Sequence, residues 1–203
     1  SASRSNWADI IATLETRDNT REIILSGGDP LSLSNHRLQH LISELETIPA
    51  LASLRIHSRF PIVLPERVDQ GLIALLRQTR LKTVLVVHCN HANEIDESVQ
   101  QALEDVSATG TLLLNQSVLL RGINDDVGRL EALSNKLFDA GILPYYLHQL
   151  DRVAGTAHYE VTDKKASALI TALRARIPGY LVPRLVREVP GELSKTPLGR
   201  SHL

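Results

Sequence analysis

Residues 22–31 read EIILSGGDPL. An apolar, β-branched run stops at two adjacent glycines, and a carboxylate follows, held by a proline. Glycine pairs let a backbone adopt left-handed conformations or approach a ligand more closely than side chains allow. Alone, the stretch reads equally well as a turn leading into the helix after Ser34. What decides between these readings is whether the pattern recurs.

It does. Runs of the same kind begin at Glu22 (EIILS), Ser53 (SLRIHS), Lys82 (KTVLVVH), Thr111 (TLLLNQ) and Ile142 (ILPYYLH). The interval is about thirty residues, the length of one βα unit in a (β/α) barrel. Helical periodicity fills the gaps: NHRLQHLISELETI sets Leu38, Leu41, Ile42 and Leu45 on one face. Similar stretches are PERVDQGLIALLRQT, EIDESVQQALEDVSA and DDVGRLEALSNKLFDAG, the last ending in a credible Ala140–Gly141 stop. A leading helix from Asn6 and a trailing one from Asp163 are also expected. Strand and helix in alternation predict an α/β fold with a parallel sheet. A closed barrel needs roughly 250 residues, and this chain has 203. The expected fold class is therefore a partial (β/α) TIM-type barrel, a crescent, in one domain over residues 1–203. An open doubly wound sheet is the alternative.

The run ends share a character: Ser26-Gly27-Gly28-Asp29, His57-Ser58-Arg59, His88-Cys89-Asn90-His91, Asn115-Gln116-Ser117 and His148-Gln149-Leu150-Asp151. Each is polar or ionisable. Active sites of barrels are built at the C-terminal strand ends, so a polar pocket is expected there.

The bulk composition excludes several classes. With 22 Lys+Arg against 23 Asp+Glu the chain has no basic footprint for nucleic acid or anionic membrane. Its apolar runs are too short to span a bilayer. A single cysteine, Cys89, makes no intrachain disulfide and suggests a reducing, cytoplasmic setting. The absence of methionine suggests a portion of something longer.

Three of the eight histidines, His57, His88 and His148, close strands, but no spacing supports a zinc site. His88 and His91 are expected to cap or hydrogen-bond instead. In VREVPGELSKTPL, Lys195 is bracketed by a Pro-Gly turn and a Thr-Pro pair. A lysine that reacts with a carbonyl needs such a fixed position, although most lysines are merely solvated. Asp151 and Glu188 are candidate acids for a cationic substrate, or else ordinary surface charges.

Laid out together, EIILSGGDPL, LRIHSRFPIVLPERV, HCNHANEID, LLNQSVLLRGIND, LFDAGILPYYLHQLD, PGYLVPRLVRE and GELSKTPL resemble the lysine 2,3-aminomutase family of radical S-adenosylmethionine enzymes. The similarity runs from about Asn6 to Leu198, in the family's order. It is strongest to the branch that supplies (R)-β-lysine for elongation factor P. The resemblance implies an isomerase that moves the α-amino group of L-lysine to the β-carbon. Its cofactors are pyridoxal phosphate (PLP), S-adenosylmethionine and a [4Fe-4S] cluster, and a separate ligase attaches the product to elongation factor P. By position, Ser26, Gly27, Gly28 and Asp29 match the motif for the methionyl amino group, and His88 and Gln116 line the same cofactor. Lys195 matches the pyridoxal-phosphate lysine, in a C-terminal segment of about 180–198. Asp151 matches one of two acids that hold the substrate's ε-ammonium, and Glu188 takes the place of the second.

The departures carry their own expectations. Glu188 replaces an Asp and is one methylene longer. Residues 192–194 replace a glycine-rich loop, and His148 stands where a tyrosine is common. The C-x-x-x-C-x-x-C that would hold the cluster is absent, so no metal ligands are expected in this chain. Taken alone, the chain is expected to be the barrel without its first βα unit, unable to run the reaction. Its first strand would then expose an apolar edge prone to self-association. Rival readings are an ordinary pyridoxal-phosphate barrel, a cluster-less non-catalytic relative, and a free-lysine catabolic aminomutase.

Overall fold

The computed structural model of the chain describes residues 19–150, 157–188 and 195–197. The expected helix from Asn6, Asp151 and the 192–194 loop lie outside the described residues. The chain divides into two compact units. One comprises residues up to Val87 together with Gln101–Leu113, and the other His88–Gln100 with Leu114 onward.

In the first unit, β1 (Glu22–Leu25) pairs parallel with β2 (Ser53–Ser58), and β2 with β3 (Lys82–Val87). Glu22 lies level with Ser53, and Ser53 with Lys82. The strand starts read from the sequence are therefore level in the ladder. Along β2, Leu54, Ile56 and Ser58 are buried and alternate with more exposed neighbours, the period of two that one buried face requires. Helix α1 (Asn35–Glu46) covers the sheet with Leu38, Leu41, Ile42 and Leu45. Helix α2 (Gln70–Gln78) does so with Leu72, Ile73 and Leu76. Each such side chain contributes about 1.5–3 kcal/mol of burial. Capping sets where these helices start: Ser34 Oγ accepts from Arg37 N at 3.4 Å, and Asp69 Oδ1 from Leu72 N at 2.8 Å. The second cap corrects a sequence expectation. PERVDQGLIALLRQT is not one helix but a 3₁₀ turn, Pro65–Arg67, followed by α2. Helix α3 (Glu97–Ser107) follows β3.

In the second unit, β5 (Leu143–Gln149) lies between β4 (Leu112–Leu119) and β6 (Arg184–Arg187), parallel to both. A two-residue strand, β7 (Thr196–Pro197), runs antiparallel to β6. The sequence reading foresaw neither β6, whose apolar pair is flanked by arginines, nor the two-residue β7. It also placed Asn115-Gln116-Ser117 at a strand end, whereas β4 continues through them to Leu119. Helices α4 (Val127–Asp139) and α5 (Asp163–Arg174) bring Leu130, Ala166, Ile170 and Leu173 into a core with Leu119, Leu147, Val161 and Leu185. Helix α4 ends as expected at Gly141, whose φ is 76°. Gly141 N donates to Phe138 O and Ile142 N to Leu137 O, both at 2.9 Å, which satisfies carbonyls the helix would leave open.

The β4–β5 register slips by one residue: Asn115 faces Pro144, but Gln116 faces Tyr146. Pro144 has no N–H for the ladder, and a proline inside a sheet is tolerated at such a bulge. The slip also lets consecutive rings meet, with Tyr145 and Tyr146 centroids 3.8 Å apart and their hydroxyls 3.0 Å apart.

Candidate functional site

The first unit carries the glycine corner. Ser26, Gly27 and Gly28 are exposed, and both glycines have left-handed φ, 79° and 48°. Among the described residues, a Cβ on either would meet nothing within 4 Å. The glycines are therefore required by backbone torsion. Asp29 closes it. Its Oδ1 accepts from Ser58 Oγ at 2.6 Å and Leu31 N at 3.0 Å, and its Oδ2 accepts from Arg59 N at 2.7 Å. The carboxylate thus fixes the corner to the end of β2, and lone-pair capacity remains on Oδ2. Arg67 secures the following loop, donating to Leu31 O at 2.7 Å and Leu33 O at 2.9 Å.

The second unit carries the lysine. Antiparallel pairing sets Val186 against Pro197 and Arg187 against Thr196. One step further along that register, Glu188 and Lys195 oppose each other, and their Oε1 and Nζ are 3.3 Å apart. The other partner of Lys195 is on β5: Nζ lies 3.1 Å from His148 Nε2 and 5.1 Å from the centre of the Tyr146 ring. Tyr146 and His148 are two apart on the strand and meet edge to face at 5.7 Å. Burial, then the Lys195 charge, pushes the His148 imidazole down to about 4; His88 adds to this and Glu188 opposes it. The ring is neutral near pH 7.

His88 and Gln116 meet within the same unit, with Nε2 to Nε2 at 3.0 Å. Gln116 Oε1 is buried and has no hydrogen-bond partner among the described residues. His91 also makes a hydrogen bond, its Nδ1 accepting from Asn93 N at 3.2 Å. Asp151 lies outside the described residues.

Sequence reasoning missed the support beneath these groups. Asn115, 1% exposed, accepts from Cys89 N at 2.9 Å and donates to Cys89 O at 3.1 Å and Ser117 Oγ at 2.8 Å. Asn90 Oδ1 accepts from Val118 N at 2.7 Å, and Glu94 Oε1 accepts from Asn90 N and His91 N. This network fixes the backbone immediately after His88. A run of amides and acids in HCNHANE and LLNQS was the available signal. Tyr146 was missed too, although its spacing of two from His148 points to the same face.

The residues present fit two of the expected cofactors. Lys195 presents a half-buried amine beside an aromatic ring and a neutral imidazole, an arrangement suited to an aldehyde cofactor with a flat ring. In the first unit, the glycine corner with its Asp29 carboxylate suits a polar, cationic ligand. The residues present do not fit an iron–sulfur cluster. Cys89 is buried, and burial followed by the Glu94 charge holds its thiol up to about 12. Among the described residues no group of three His, Cys, Asp or Glu could hold a metal.

No protein-family model matches the chain. The L-lysine 2,3-aminomutase of Escherichia coli K12 is 48% identical over 195 residues, covering 96% of this chain and 57% of that protein. The L-lysine 2,3-aminomutase of Clostridium subterminale is 40% identical over 178 residues, covering 88% and 42%. The chain thus spans about half the length of the curated relatives it matches. Among solved structures, a radical SAM methyltransferase from Sphaerobacter thermophilus superposes with a TM-score of 0.62 at 16% identity, over 89% of this chain and 56% of that one. A structure of native anSMEcpe with bound AdoMet and a Kp18Cys peptide gives 0.63 at 9% identity, over 84% and 50%. These likenesses show the fold class alone, an α/β partial barrel. Among the described residues, no helix is long and apolar enough to cross a membrane.

Proposed function

We propose that this chain, homologous to the L-lysine 2,3-aminomutases over nearly all its length, is the cofactor- and substrate-binding part of such an enzyme. The reaction is the isomerisation of L-lysine to β-lysine. The observation that carries the reading is the surroundings of Lys195, the residue matching the family's pyridoxal-phosphate lysine. Its amine is held by His148 and Glu188 and lies over the Tyr146 ring. A solvated surface lysine has no such set of partners.

Pyridoxal phosphate, if held at Lys195, would supply an aldehyde able to carry the substrate's amine. The chain's own residues do the rest of the holding. His148, neutral, accepts a hydrogen bond from Nζ. Glu188 supplies negative charge suited to an alkylammonium, and it already faces one in Lys195 Nζ. Tyr146 offers a ring edge or face against which a flat ligand can rest. In the first unit, Ser26, Gly27 and Gly28 offer backbone carbonyls, and Asp29 a carboxylate, to the amino group of S-adenosylmethionine. Cluster ligation falls outside what the described residues offer.

The finer assignment is to the branch that makes (R)-β-lysine for elongation factor P. It is supported by two departures from the free-lysine pattern, Glu188 and His148, both of which lie against Lys195.

Borohydride reduction of the intact protein with pyridoxal 5′-phosphate, followed by peptide mapping, tests the reading. A phosphopyridoxyl group on Lys195 is the expected result. Label confined to other lysines would falsify it.

A further inference from the structure

We infer that His148 is a positioning residue for the Lys195 amine, its imidazole taking one N–H of Nζ and fixing where the amine points. The inference rests on the reading that Lys195 receives the cofactor, and adds to it a residue that acts through Lys195.

The geometry separates the two partners of the amine. Glu188 reaches Nζ at 3.3 Å, but its side chain is 59% exposed. An exposed ion pair holds a long, flexible side chain weakly. His148 reaches Nζ at 3.1 Å from the interior of a three-strand ladder. In register, Val118 of β4 and Val186 of β6 flank it, and neither can compete for its ring nitrogen. The Tyr146 edge limits rotation of the ring at 79° between planes. Because the β5 bulge at Pro144 sets the phase of everything after it, Tyr146 and His148 share a face one residue out of step with β4. Lys195 is placed two strands away, by the β6–β7 pairing. One continuous β5–β6–β7 ladder therefore brings both backbones to one nitrogen, and the hydrogen bond at the end of the lysine side chain restricts its remaining rotamer freedom.

The charged and titratable groups facing His148 are Lys195, Glu188 and His88, with Tyr146 beside it. Burial and the Lys195 charge keep the imidazole neutral, so Nε2 serves as an acceptor rather than a competing cation. A glutamine could reproduce an acceptor there. An alanine could not.

The test uses the intact protein, titrated with pyridoxal 5′-phosphate, reduced with borohydride and mapped at Lys195. Attachment joins Nζ to the aldehyde carbon with loss of one water. The expected result is that His148→Ala raises the cofactor concentration for half-labelling by about tenfold, the scale of one buried hydrogen bond. His148→Gln should recover most of it. Unchanged labelling in folded His148→Ala overturns the inference. So does a glutamine variant as poor as the alanine one, which would show that ring packing rather than the acceptor matters. If the wild type takes no label at Lys195, the cofactor reading fails instead, and a second measurement decides the inference. In that case the NMR titration of His148 is compared with that of Lys195→Met. A midpoint that rises when the lysine charge is removed supports the contact, and one that stays put overturns it.

Discussion

Ser58 donates its hydroxyl to Asp29 Oδ1 at 2.6 Å, joining the ends of β1 and β2 where the glycine corner begins. Leu31 N shares the same oxygen and Arg59 N takes the other. The carboxylate that the resemblance gives to a ligand is thus also the fastening of its own loop. Asp29→Ala should leave three donors seeking water and cost about 1–3 kcal/mol in urea unfolding. Asp29→Asn keeps one acceptor oxygen and should cost less. Both should weaken S-adenosylmethionine binding to the intact protein, measured by calorimetry, and the asparagine variant should lose more affinity than its stability loss accounts for. Equal affinity in Asp29→Asn and wild type would remove Asp29 from the binding site.

Asn115 is a purely internal fastening. Replacing it with leucine strands Cys89 N and removes the bonds to Cys89 O and Ser117. A buried amide left unsatisfied costs about 1–3 kcal/mol, and lost partners add to that. Asn115→Leu should therefore unfold at distinctly lower denaturant, with a total loss of about 2–4 kcal/mol. It should also weaken the His88–Gln116 contact, visible as a shifted His88 imidazole resonance. Wild-type stability in this variant would show that the network is dispensable.

The depressed His148 gives a pH signature. Its imidazole sits at about 4 in the fold against 6.5 ordinarily, so between these values the unfolded chain binds a proton that the folded chain refuses. Stability contributed by the neutral ring is full above pH 6.5, falls as the pH drops, and is exhausted below about 4. Denaturation midpoints across this window should decline more steeply in the wild type than in His148→Gln. Parallel curves would show that the ring titrates normally.

Cys89 should be inert. Buried, with its thiol pushed up to about 12, it carries almost no thiolate at pH 8, and the thiolate is the reactive form. Iodoacetamide should leave the native chain unmodified and add one group after denaturation. Rapid native alkylation would show that the strand end opens.

Much of this was legible in advance. The starts of β1, β2 and β3 fall at Glu22, Ser53 and Lys82 as read, and those of β4 and β5 one residue beyond Thr111 and Ile142. Alternating burial stamps a period on long elements, and caps such as Ser34 and Gly141 mark their ends. The polar interior of β4 was not legible. Asn115 and Ser117 look like a strand terminus until Cys89 is seen to satisfy them, a partner that only the fold supplies. The break at Asp69 was hidden because the apolar pattern continues across the turn before it. The contact between His148 and Lys195 joins residues 47 apart, and no local pattern encodes it. What the sequence offered was a bracketed lysine and a strand-end histidine, without the geometry linking them.

The central claim, that Lys195 is the attachment point of an aldehyde cofactor, is tested most directly by absorbance. The protein would be loaded with pyridoxal 5′-phosphate without borohydride, dialysed, and its imine band recorded before and after L-lysine is added. The account predicts a band that survives dialysis in the wild type, is displaced by L-lysine, and is absent from Lys195→Ala. A dialysis-resistant band of equal intensity in Lys195→Ala, or none in the wild type, would contradict it.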